Sequence, residues 1–140
     1  MNYILVGLKN SGKTTLGRKL AAAFSMNFLD TDEQLLLNTD YNSIREMYLD
    51  LGVSKFRERE QILISALDCK NTIVATGGGS IILESNRIKL KKLGIVIYLT
   101  IPPAELPSRI ITCPPNYNNL DEYTNERIKN YLEIADFMIS

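Results

Sequence analysis

The stretch GLKNSGKTT, Gly7–Thr15, follows a short β-prone run, NYILV (Asn2–Val6), and leads into KTTLGRKLAAAFS, where Leu16, Leu20 and Ala23 fall at helical spacing. Gly7, Gly12, Lys13 and Thr14 fit the pattern G-x-x-x-x-G-K-[ST]. Glycines let the backbone curl until successive N–H groups point inward at phosphate oxygens. The helix that follows presents its positive end to the same anion. In such a loop Lys13 reaches the β- and γ-phosphates and the Thr14 hydroxyl serves Mg²⁺. The bland alternative is a glycine-rich strand-to-helix turn, but the strand before and the helix after are the context a phosphate loop requires. The nucleotide-binding candidates are therefore Gly7, Asn10, Ser11, Gly12, Lys13, Thr14 and Thr15.

Outward from this loop, short apolar runs alternate with longer amphipathic ones. NFLDTD reads as a second strand ending at Asp30. SIREMYLDLG and SKFREREQILISALDCK read as helices separated at Gly52. TIVAT (Thr72–Thr76) is a β-branched run suited to a strand buried on both faces. IILESNRIKLKKLG reads as a helix ending at Gly94, and IVIYLTI as a further strand. After the breaker-rich CPPNYNN come a helix, LDEYTNERIKNYLEIAD, and the start of a last strand, FMIS. This alternation predicts an α/β fold, a parallel sheet with helices on both faces, whose ligands gather at the carboxyl ends of the strands. The glycine loop, DTD (Asp30–Asp32) and TGGGS (Thr76–Ser80) each follow a predicted strand, so all three are expected on one edge.

Length and composition set the bounds. A chain of 140 residues, 45% apolar and 23% charged, is expected to form one domain, residues 1–140. Sixteen cations balance sixteen acids, which points to neither nucleic acid nor membrane as partner. No apolar run approaches the ~20 residues of a membrane span, and MNYILVGL lacks the basic start of a signal peptide. Cys69 and Cys113 have no metal-ligand spacing, and the chain has no histidine, which excludes Ser-His and Cys-His hydrolases. The expectation is a cytoplasmic monomer with free thiols.

Three further motifs admit two readings each. Asp30 and Asp32 fit a helix N-cap followed by a solvated first-turn acid. Opposite a phosphate loop they also fit a Mg²⁺ ligand and a base for a substrate hydroxyl. Gly77, Gly78 and Gly79 fit a plain turn, although one glycine normally suffices there. Three in a row suggest backbone that a small ligand must approach closely. Arg57 in KFRERE and Arg127 in NERIKNY, taken singly, fit solvated helix faces.

Taken in order, GLKNSGKTTLG, FLDTD, FRERE, TGGG and NERIKNYLEIAD resemble the shikimate kinase family, in the nucleoside-monophosphate-kinase branch of P-loop proteins. The resemblance implies a three-layer fold with a five-stranded parallel sheet of order 2-3-1-4-5. It implies ATP-dependent phosphorylation of the shikimate 3-hydroxyl, with ATP and Mg²⁺ as cofactors. It assigns Asp30, with Thr14, to the metal, and Asp32 to the substrate hydroxyls as candidate base. Arg57 and Arg127 take the shikimate carboxylate, and Gly77, Gly78 and Gly79 line the same pocket. Lys13 and Asp32 are the catalytic pair. The alternatives are a related kinase acting on gluconate or a nucleotide, or a non-catalytic P-loop protein.

Two departures from the family pattern stand out. The expected lid, about residues 110–118, ordinarily carries an arginine followed by proline; here Ile110 to Glu126 contain no Lys or Arg. Arg109 is at most a weak substitute. The family also continues past the last strand into a closing helix, whereas this sequence stops at Ser140.

Overall fold

The computed structural model describes residues 1–9, 11–100 and 120–139. Asn10, Arg109, Cys113 and the expected lid at 110–118 therefore lie outside the described residues. Five short strands pair side by side: β1 (Tyr3–Val6), β2 (Asn27–Asp30), β3 (Thr72–Ala75), β4 (Ile95–Leu99) and β5 (Phe137–Ile139). Every pairing is parallel and the order is β2-β3-β1-β4-β5, the order the family resemblance implies. The helices are α1 (Lys13–Ala23), α2 (Thr31–Leu36), α3 (Ile44–Leu51), α4 (Val53–Ser65), α5 (Glu84–Leu93) and α6 (Leu120–Ile134).

Alternation along the central strand divides the core. Ile4 and Val6 join Val74, Val96 and Tyr98 on one face, against Ile64 of α4, Leu90 of α5, and Tyr131 and Ile134 of α6. Leu5 and Ile73 point the other way, onto Ala21 of α1. Strand β3 is buried at all four positions, as its unbroken β-branched run predicts. A smaller cluster of Leu35, Met47 and Phe56 fastens α2, α3 and α4 together beside the sheet. Gly52 ends α3 and begins α4 at φ 83°, a conformation that favours glycine, so the break falls where the sequence places it.

Two elements differ from the sequence reading. In α1 the buried stripe is Lys13, Gly17 and Ala21, whereas Leu16 and Leu20 are half-buried and Ala23 is exposed. The helix lies too close to the sheet for large side chains on its contact line. A Cβ on Gly17 would stand 2.6 Å from the Phe28 ring. The second difference is the extent of α2, a short helix over Thr31–Leu36, of which the sequence reading offers only the N-cap and first turn.

Register brings the strand ends level. Leu5 and Asp30 both align with Ala75, so the loops after β1, β2 and β3 open on one edge of the sheet. The side chain of Thr76 ties two of them, its Oγ1 donating to the Leu5 carbonyl at 2.9 Å. No helix of the described residues is long and apolar enough to cross a membrane.

Candidate active site

The loop after β1 is tight. Ser11 N–H donates to the Leu8 carbonyl at 3.1 Å, and Gly12, at φ 93°, turns the chain into α1 in a left-handed conformation. Gly7 passes under β4, where a Cβ would meet the Leu99 carbonyl at 2.6 Å. The first turn of α1 has no acid of its own, and its N–H groups are left without a side-chain cap. Lys13 is buried within the loop, its Nζ donating to the Gly7 and Leu8 carbonyls at 2.7 and 2.8 Å. Burial lowers its pKa to about 8, against the opposing pull of Asp32 and Asp30.

Asp30 takes the N-cap position that one of its sequence readings gives it. Its Oδ1 accepts from the N–H groups of Asp32 and Glu33 at 2.8 and 3.1 Å, which makes it the N-cap of α2. Its Oδ2 accepts from the Thr14 hydroxyl at 2.5 Å. The cap thus fixes a carboxylate oxygen beside the first turn of α1.

Asp32, two residues along, is not a solvated acid. It lines a cleft of about 300 Å³ together with Lys9, Gly12, Lys13, Thr14, Thr15, Asp30 and Gly77. Burial, then the charges of Asp30 and Glu60, push its pKa up to about 6, with Lys13 and Arg57 pulling the other way.

The three glycines have a steric explanation, since none of them has a positive φ. A Cβ on Gly77 would stand 2.6 Å from Asp32 Oδ1. One on Gly78 would stand 3.1 Å from the Lys9 backbone nitrogen, and one on Gly79 only 2.4 Å from the Arg57 guanidinium. The glycines make room for the chain's own charged residues and for the phosphate loop, and Gly77 and Gly78 also line the cleft. The loop is held from below, with Gly77 N–H donating to Thr31 Oγ1 at 3.1 Å and Ser80 Oγ donating to the Gly77 carbonyl at 2.6 Å.

Beyond Gly79 lies a second group. Arg57 pairs with Glu60 one turn along α4, at 2.8 Å, and lies over the Phe56 ring at 5.2 Å. Glu60 is 1% exposed. Burial raises its pKa, and Arg57 and then Arg127 oppose the rise. Arg127 of α6 is likewise buried. Four residues further along that helix, the Tyr131 hydroxyl donates to the Gly78 carbonyl and ties α6 to the glycine loop.

The structure therefore brings Gly7, Ser11, Gly12, Lys13, Thr14, Thr15, Asp30, Asp32, Gly77 and Gly78 to one cleft or its walls. It places Gly79, Arg57 and Arg127 in an adjoining group centred on Glu60. Sequence reasoning gave no role to Glu60, Tyr131, Thr31 or Lys9. Of these, Glu60 had a signal, its i,i+3 spacing from Arg57.

A phosphate-binding loop facing two carboxylates across the carboxyl edge of a 2-3-1-4-5 parallel sheet defines the P-loop kinase class. Within that class, a model of the shikimate kinase family matches residues 9–140. The shikimate kinase of Clostridium botulinum (strain ATCC 19397 / Type A) is 37% identical over 141 residues, spanning 96% of this chain and 82% of that protein. The chain belongs to the shikimate kinase family. Among solved structures it is similar to shikimate kinase from Acinetobacter baumannii in complex with shikimate, at TM-score 0.83 and 33% identity over 99% of this chain and 82% of that one. It is also similar to shikimate kinase from Aquifex aeolicus vf5, at TM-score 0.84 and 28% identity over 100% of this chain and 86% of that one.

Proposed function

We propose that this protein transfers the γ-phosphate of ATP to the 3-hydroxyl of shikimate, giving shikimate 3-phosphate and ADP. The observation that carries this reading is the group of half-buried Arg57 with buried Glu60 and Arg127, whose Arg57 and Glu60 act electrostatically on Asp32. Two guanidinium groups beside one glutamate leave the group net positive, which suits an acidic substrate. Arg57 Nε has no hydrogen-bond partner among the described residues, which leaves the guanidinium with an unused donor that a substrate carboxylate would satisfy. A carboxylate held there puts the hydroxyls of a small ring within the reach of Asp32.

In the reaction, ionised Asp32 accepts the hydroxyl proton. The freed oxygen bonds to the γ-phosphorus and the bond from that phosphorus to the bridging oxygen breaks, leaving ADP. Lys13 and the N–H groups of the loop hold the phosphates in line. Thr14 and Asp30 present a hydroxyl and a carboxylate oxygen 2.5 Å apart, an all-oxygen pair that fits Mg²⁺. They would hold it at the mouth of α1. When bound, the ion would supply positive charge to offset the negative charge of the phosphates.

The clamp is tested by exchanging one arginine. Lysine imitates the planar fork of Arg57 only in part, so Arg57→Lys weakens shikimate binding by ~1.5–3 kcal/mol, the scale of one bond to a charged group. That corresponds to roughly ten- to a hundredfold in affinity, with ATP affinity unchanged. A neutral carboxamide analogue of shikimate binds poorly to the wild type, and Arg57→Lys loses far less on that switch. Equal binding of acid and amide by the wild type would remove the carboxylate clamp and the substrate with it.

A further inference from the structure

The cleft has a second cation that the mechanism above does not use. Lys9, the third residue of the phosphate loop, lines it together with Lys13, Asp30, Asp32, Gly77 and Gly78, and is exposed where Lys13 is buried. The Lys9 backbone packs against the glycine loop. A Cβ on Gly78 would stand 3.1 Å from Lys9 N and 3.7 Å from Lys9 Cβ. Lys9 therefore stands at the seam between the loop that grips the nucleotide and the loop that borders Asp32 and Arg57. A phosphoryl group passing from the one side to the other crosses this seam.

The charges in the cleft require such a cation. Asp30 and Asp32 place two carboxylates beside the path of a group whose own oxygens are anionic. Lys13 answers from behind, fastened to two carbonyls inside the loop. The long stretch from Ile110 to Glu126 supplies no Lys or Arg. Phosphoryl transfer spreads charge over three equatorial oxygens and is accelerated by cations placed around them. A lysine side chain has a flexible four-carbon stem, so its ammonium can follow the phosphoryl as it moves. We infer that Lys9 is a catalytic residue, its ammonium contacting the transferring phosphoryl group from the seam between the two loops. The inference rests on the phosphoryl-transfer reading of this site.

Lys9→Met keeps the length and the apolar stem and removes the charge; Lys9→Arg keeps the charge. In Lys9→Met, kcat for shikimate phosphorylation falls roughly 10- to 100-fold, somewhat less than for a fully buried electrostatic donor because Lys9 is exposed. In Lys9→Arg it stays within about threefold. Affinity for ADP, which lacks the transferring group, is unchanged in both. Affinity for a non-hydrolysable ATP analogue drops in Lys9→Met alone, which a merely structural role would not produce. Unaltered kcat in Lys9→Met overturns the inference, and so does an equal loss of affinity for ADP and the triphosphate analogue. If the wild type phosphorylates no shikimate, the proposed function fails. The two nucleotide affinities then still decide the role of Lys9, since an unchanged gap between them in Lys9→Met sinks it separately.

Discussion

Replacing Lys13 by methionine lowers kcat by at least ~10²-fold, on the scale of removing a preorganised electrostatic donor from a site where charge develops. The effect is large because Lys13 is buried at the root of α1 and aimed by the loop itself, through the Gly7 and Leu8 carbonyls at 2.7 and 2.8 Å. A cation fixed in that way costs no reorganisation when the phosphoryl moves. The fold survives the change. Methionine leaves two carbonyls short of a donor, but it also removes an ammonium whose burial is unfavourable enough to lower its pKa to about 8. Steady-state kinetics together with a thermal melt check both halves. A folded Lys13→Met protein with near-normal kcat would take the loop out of the mechanism.

Asp32→Asn has an effect of comparable or greater size. A positioned general base contributes roughly 10²–10⁴-fold, and asparagine fills the same space beside Gly77 without accepting a proton. The pH profile identifies the base independently. Burial and the neighbouring Asp30 and Glu60 favour the neutral form of Asp32 and raise its pKa to about 6. The base works ionised, so kcat/KM of the wild type falls as pH drops through about 6, and the remaining activity of Asp32→Asn lacks that limb. The apparent value belongs to the carboxylate cluster as a whole. The sign for stability is the opposite. The folded chain holds this proton more tightly than the unfolded chain does. The penalty is therefore absent below the ordinary value of 3.8 and grows as pH rises to about 6. A wild-type profile flat from pH 5 to 8 would contradict the assignment of Asp32.

The sheet was legible because its strands are short, apolar and punctuated by motifs whose chemistry needs a strand in front of them. The phosphate loop, Asp30 and the glycine loop could each be placed at a strand end from the sequence, and parallel pairing then brings them to one edge. Helix α2 was legible only as an N-cap at Asp30 with a first-turn acid, because Thr31–Leu36 is too short to show a helical period. The contact line of α1 was misplaced for a packing reason. The close approach to Phe28 selects Gly17 and Ala21, which carry little hydrophobic signal, over the leucines that do. The glycine triplet could be recognised as special, but its intramolecular contacts could not. Only the folded chain shows that Gly77 and Gly79 stand against Asp32 and Arg57. The Tyr131 contact with Gly78 and the proximity of Glu60 to Arg127 join elements far apart in sequence, and pattern alone does not reveal them.

The most direct test of the account is a coupled assay of ADP release by the purified protein with ATP and Mg²⁺, in the presence and absence of shikimate. The account predicts release that depends on shikimate and saturates with it, accompanied by shikimate 3-phosphate in equal amount. ADP release that is indifferent to shikimate, or no release from a protein that binds ATP, would contradict it.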